Sequence, residues 1–173
     1  SNAEVAAYLK NVFNPESALL QMQPDPNLPR INFAQQGSIS CFDYFGKGNN
    51  QKHIVCYFIP KSINLKLDNK LPSFIFLHGG GTSTSTHFKA EEMAIMYLRR
   101  FVAKAEKNKM ILVFPTTTKG WNFTTRFLMR ELTTILRKEL PIDVNRIILS
   151  GHSMGAMGIS REFPYIADLF SST

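Results

Sequence analysis

The chain has 173 residues, 44% of them hydrophobic and 14 of them Phe; it is long enough to bury one sizeable core and too apolar for a disordered segment. Its formal net charge of +7, from 20 Lys+Arg against 13 Asp+Glu, would suit an anionic partner. However, Lys61, Lys66, Lys70, Arg99, Arg100, Arg130 and Lys138 are scattered rather than gathered into a basic stripe, so nucleic acid is not the expected partner, and no apolar run is long enough for a membrane span.

In chain order, Ser1-Asn2-Ala3 reads as the scar of an expression tag and is left out of fold reasoning. An export leader removed upstream is compatible with such a start; a secreted or periplasmic address is favoured over a cytoplasmic one, and the compartment stays open. Residues 4–36 form an N-terminal arm, in which "EVAAYLKNVF" predicts a short helix and Pro24, Pro26 and Pro29 then prevent regular structure. Residues 37–173 form, with the arm, a single domain. It begins with two strands, "SISCFDYF" and "KHIVCYFIP", joined by the turn-like "GKGNN" at Gly46 to Asn50. In such a hairpin Cys41 and Cys56, the chain's two cysteines, fall almost opposite each other. They either bridge in an oxidising compartment or stay two buried thiols. Their spacing is not that of a zinc site, and no metal is expected.

"SFIFLHGGG" follows, a continuous apolar run that suits a strand buried on both faces of a parallel sheet. Residues 86–108 place Met93, Tyr97, Leu98, Phe101, Val102 and Ala105 at helical spacing. "MILVFP" predicts a second buried strand, the segment 124–140 a second amphipathic helix through Leu128, Leu132, Ile135, Leu136 and Leu140, and "NRIILS" a third buried strand. Strand, helix, strand, helix, strand is the order of an α/β fold with a mostly parallel central sheet and flanking helices, here preceded by an antiparallel hairpin.

Two glycine-rich stretches carry the chemistry. In "IILSGHSMGAMG", Gly151 and Gly155 flank Ser153 in a G-x-S-x-G pattern directly after a strand. A strand that turns at once into a helix forces the residue at its tip into a sparsely populated backbone conformation, and flanking glycines relieve the crowding. Ala156 and Gly158 would let the next helix lie close against the sheet. The hydroxyl of Ser153 is then a candidate nucleophile toward an acyl carbonyl, with the Met154 N–H donating to the developing oxyanion. The second stretch, His78 to Gly81, follows another buried strand, and the amides of Gly79 and Gly80 are the further oxyanion donors. His78 is expected to support this turn through hydrogen bonds. Neither phosphate-binding glycine pattern is present, and no cofactor is expected.

With both stretches in order, the chain resembles the α/β-hydrolase superfamily from the hairpin onward. Within it, "FIFLHGGG", "ILVFPTTTKGWNF" and "PIDVNRIILSGHSMGAMG" are similar to the esterase branch of polyhydroxybutyrate depolymerases and feruloyl or acetylxylan esterases. The resemblance implies a serine hydrolase that cleaves carboxylic esters of a small molecule, an acylated carbohydrate or a polyester through an acyl-serine intermediate. It also implies Ser153 as nucleophile, Met154, Gly79 and Gly80 as the oxyanion hole, and Trp121 as a substrate contact near the mouth of the site. His152, beside the serine, should point away from the hydroxyl.

One departure matters. A serine hydroxyl is activated by a histidine that a carboxylate orients, and in this superfamily the chain order is Ser, then Asp or Glu, then His. His53, His78, His87 and His152 all precede Ser153, whereas Glu162 and Asp168 fall where the superfamily has the helix after the serine and its exit. Three explanations stand: the sequence is part of a longer hydrolase, it is a non-catalytic binding or interaction module on a degenerate hydrolase fold, or an early histidine such as His87 serves as the base. On the first, the strand at 146–150 becomes an apolar sheet edge, to be covered by another chain, a rearranged segment or a C-terminal fragment.

Overall fold

The structure, a computed structural model, describes Leu28, Phe33 and residues 35–48, 50–80 and 84–171. The helix expected at 4–13 and Gly81 lie outside the described residues.

Among the described residues, five strands and three helices run in the order β1 (Ile39–Gly46), β2 (Gln51–Phe58), β3 (Leu71–Leu77), α1 (His87–Asn108), β4 (Ile111–Pro115), α2 (Thr125–Glu139), β5 (Ile142–Gly151) and α3 (Met154–Glu162), followed by two short 3₁₀ turns. The strands lie side by side as β1-β2-β4-β3-β5 in one sheet. β1 pairs antiparallel with β2, and β2 antiparallel with β4, whereas β3 runs parallel to both β4 and β5. The sheet is therefore mixed, with a parallel centre and the expected hairpin at one side. Cys41 pairs with Cys56 across that hairpin, and the two form a disulfide, which settles the alternative left open by spacing.

Alternation along β3 divides the core. Phe74 and Phe76 face α1, joining Ile54, Cys56, Phe58, Leu98, Leu112 and Phe114. Ile75 and Leu77 face the other layer, with Val113, Leu128, Leu132, Ile135, Leu136, Ile147 and Leu149. Because successive strand side chains point to opposite faces, one apolar strand fills two cores at once. Leu28 and Phe33 of the arm join the second core, where the Phe33 ring meets Tyr57 edge-on at 5.0 Å between centroids.

Helix ends follow local chemistry. The Thr86 side chain caps α1 by accepting from the Lys89 N–H, and Lys109 closes the helix in a left-handed conformation at φ 49°. In α2, Glu131 is turned inward and buried, where Tyr44 Oη and the Lys47 and Gly48 N–H groups donate to its carboxylate. The helix thereby holds the hairpin turn. β5 starts at Ile142, three residues before the apolar run that announces it, and its pairing with β3 shifts register between Leu71 and Ser73.

β5 is the end strand of the sheet, as anticipated. The N–H and Oγ of Ser171 both donate to the Ile147 carbonyl, at 2.9 and 3.1 Å, so the chain's own last described residue occupies one position along that edge. Among the described residues, no helix is long and apolar enough to cross a membrane.

Candidate active site

The site lies where β3 and β5, neighbouring parallel strands, end on the same side of the sheet. Ser153 follows β5 at φ 50° and ψ −113°, at the N-cap position of α3, and its side chain makes no capping hydrogen bond. A positive φ is costly for a residue with a side chain, and it persists only where the surroundings hold it. Three contacts do so. The His152 N–H donates to the Leu77 carbonyl at 3.1 Å, the Gly155 N–H to the His152 carbonyl at 2.9 Å and the Met157 N–H to the Ser153 carbonyl at 3.0 Å. Gly155 is required for the first of these approaches, since a Cβ there would stand 2.0 Å from the Leu77 carbonyl oxygen. Ser153 itself is exposed.

The glycine turn after β3 comes to meet it. A Cβ on Gly79 would stand 2.9 Å from His152 Nδ1, 3.0 Å from the His152 carbonyl oxygen and 3.2 Å from Ser153 Cβ. Gly79 is thus the residue against which the serine packs, and any side chain there would fill the space between the two turns. Gly80 has φ 126°, a conformation natural only to glycine.

Side chains, rather than packed backbone, hold this turn. His78 is fully buried; its Nε2 accepts from the Thr117 N–H at 3.1 Å and its Nδ1 lies 2.7 Å from the Gly79 carbonyl. A backbone N–H can only donate, so Nε2 carries the lone pair and Nδ1–H donates to Gly79. Burial, partly offset by the Gly79 bond, lowers the pKa of His78 below the usual 6.5 and favours this neutral ring. Trp121, expected at the mouth of the site, is buried; its Nε1–H donates to the His78 carbonyl at 2.8 Å. The Trp121 side chain also explains Gly158, where a Cβ would stand 2.3 Å from Trp121 Cβ. Gly158 therefore makes room for the tryptophan, and it is Gly155 that brings α3 close to the sheet. Gly120, at φ 78°, sets its Cα beside the Met154 side chain.

His87 opens α1, and its buried Nδ1 has no hydrogen-bond partner among the described residues, whereas His53, His152, Glu162 and Asp168 are engaged away from the serine. His53 is buried with Nδ1 2.6 Å from the Thr116 carbonyl, and burial first, then the nearby charge of His87, lower its pKa. His152 turns to Tyr97, whose hydroxyl lies 2.7 Å from its Nδ1. Glu162 is buried against Arg126 at 2.7 Å, and Asp168 takes a two-pronged contact from Arg130 at 3.0 Å on each oxygen. These pairs pin α3 and the segment after it to α2. Among the described residues, no three of His, Cys, Asp and Glu gather as a metal site would require.

Several solved structures share this fold. A thermostable esterase superposes with a TM-score of 0.55 at 23% identity, covering 76% of this chain and 39% of its own. A fluorophosphonate-binding serine hydrolase of Staphylococcus aureus, in a substrate-bound structure, gives 0.60 at 14% identity over 79% and 55%. A ferulic acid esterase gives 0.54 at 24% identity over 78% and 56%. The fold is that of an α/β-hydrolase. The chain spans about half the length of those structures, from 39% to 56%. No protein-family model and no curated protein matches it.

Two features of the site escape sequence reasoning. The Tyr97–His152 contact joins residues 55 apart, and no local pattern encodes it. The role of Trp121 as a brace for the glycine turn depends on Gly158, and that glycine reads in the sequence as one that lets the helix approach the sheet.

Proposed function

We propose that this chain carries the nucleophile and oxyanion hole of a serine hydrolase that cleaves carboxylic esters. One observation supports the reading above others: the exposed serine at positive φ sits directly against Gly79, 3.2 Å from where a Cβ would be. In this mechanism Ser153 Oγ attacks the carbonyl carbon and gives its proton to a base. The carbonyl oxygen becomes an oxyanion met by the N–H groups of Met154, Gly79 and Gly80. Collapse of the tetrahedral intermediate breaks the ester C–O bond; the alcohol leaves with the proton, and water then hydrolyses the acyl-serine. His78 and Trp121 keep the donors in place, and Trp121 reaches substrate only through the turn it braces.

The base and its carboxylate belong, on this proposal, to a further segment of a longer protein, in the order acid and then histidine. The substrate is a small-molecule ester, an acylated carbohydrate or a polyester. A covering segment or second chain would pair along β5, whose edge Ser171 occupies at Ile147. The rival reading is a non-catalytic module. It draws support from His53, His78 and His152, each bonded away from the serine hydroxyl.

A fluorophosphonate probe with mass spectrometry separates the two. With the full-length gene product, covalent labelling at Ser153, lost in Ser153→Ala, supports the hydrolase. An unlabelled Ser153 in that product supports the module instead.

A further inference from the structure

A row of rings leads from the core to the serine bend. Phe114 and Phe76 stack at 5.1 Å between centroids, Phe76 and Tyr97 follow at 5.1 Å, and Tyr97 and His152 at 5.5 Å. Phe114 and Phe76 are buried, on β4 and β3. Tyr97, on α1, is held on one side by Phe76 and covered on another by the Arg100 guanidinium, 5.4 Å from the ring centre. Its hydroxyl shares a 2.7 Å hydrogen bond with His152 Nδ1. That same nitrogen lies 2.9 Å from the space a Gly79 Cβ would occupy. The His152 ring therefore stands between α1 and the glycine turn, one residue before Ser153.

We propose that Tyr97 is a positioning residue: its hydrogen bond to His152 sets the spacing between the serine bend and the glycine turn. The proposal rests on the hydrolase reading for its kinetic consequence, but not for its structural one. The logic is that of support. Backbone bonds tie the bend to β3 through Leu77, yet they leave the His152 side chain free to rotate about χ1 and χ2. Rotation would remove the ring from Gly79 and let the turn close or drift. Tyr97 removes that freedom, because its own ring is fixed by Phe76 and its hydroxyl fits one setting of the imidazole. Oxyanion donors act only when held at the right distance before the reaction starts, so a loosened gap would lower turnover without changing how substrate binds.

Four variants test this, read in this chain by nitrogen NMR of the imidazole and backbone amides and in the full-length gene product by turnover of an activated phenyl ester. Tyr97→Phe keeps the ring row and removes only the hydroxyl. The expected result is a shift of the His152 Nδ1 resonance, displaced amide signals at Gly79 and Ser153, and a kcat lower by about three- to tenfold at unchanged KM. His152→Ala should behave alike, the double variant should be no worse than His152→Ala alone, and His152→Asn, which keeps a polar partner for the hydroxyl, should recover most of the loss. Unmoved Gly79 and Ser153 amides in Tyr97→Phe, or losses that add in the double variant, overturn the proposal. Absence of turnover in every form of the full-length gene product, the parent included, counts against the esterase reading, and the amide signals then decide the role of Tyr97 alone.

Discussion

The two turns that meet at Ser153 are built in opposite ways. The bend after β5 is held by backbone packed on backbone, with Gly155 against the Leu77 carbonyl and hydrogen bonds running from His152 and Gly155. The turn after β3 is held by side chains, with His78 bonded to Gly79 and Thr117 and Trp121 bonded to His78. The first leaves almost no room for substitution but asks little of residue chemistry. The second also needs its glycines, but it depends in addition on a neutral imidazole. The strained residue therefore sits on the turn whose backbone bonds carry no titrating group, whereas the internal support of the other turn runs through the His78 ring.

The largest effect should come from the packed bend. In Gly155→Ala the new methyl would stand 2.0 Å from the Leu77 oxygen and 2.6 Å from its carbon, and backbone cannot step aside as a flexible side chain can. A loss of about 3–5 kcal/mol is expected, measured as the shift in urea midpoint; a loss under about 1 kcal/mol would mean that α3 can slide away from β3. Next in size is His78→Ala. It opens a cavity and leaves the Thr117 N–H and Gly79 carbonyl without partners, for about 2–4 kcal/mol. If calorimetry showed His78→Ala to be the costlier of the two, the ranking of backbone over side-chain support would be reversed.

How much of this was legible depends on the range over which each signal acts. β3, α1, β4 and α2 each declare themselves by an apolar run or a helical stripe, and their observed limits, such as His87–Asn108 and Thr125–Glu139, depart by a residue or two from the pattern. The Ser153 bend was legible because Gly151 and Gly155 record a steric demand directly in residue type. β5 was harder: Asp143, Val144 and Asn145 carry no buried run, and they join the strand beside a register shift opposite β3. Glu131 reads as part of the polar face of α2, yet it is buried because the hairpin turn brings it two N–H donors and the Tyr44 hydroxyl. Trp121 and Tyr97 find their partners through the tertiary fold, so the resemblance places Trp121 near the site and the helical stripe places Tyr97 on α1, and neither says what the ring does.

The smallest effect concerns acid, and it follows from the difference between the turns. Burial is the main reason that His78 and His53 have pKa values below 6.5 in the folded chain. Between 6.5 and those lowered values the unfolded chain binds protons that the folded chain does not. Stability therefore falls as pH drops below about 6.5, by up to about 1.4 kcal/mol per pH unit for each ring, and levels off below the folded-state values. Asp68 and Asp143 also titrate below their ordinary 3.8, because the Asn64 and Asn145 N–H groups respectively bond their carboxylates, so their contribution is lost only in stronger acid. Unfolding midpoints between pH 7.5 and 5.5 thus report on the histidines. His78→Asn should flatten part of that slope, whereas Gly155→Ala should lower stability by the same amount at both ends. A slope untouched by His78→Asn would mean that the glycine turn does not depend on a neutral imidazole, and the contrast between the two turns would then rest on geometry alone.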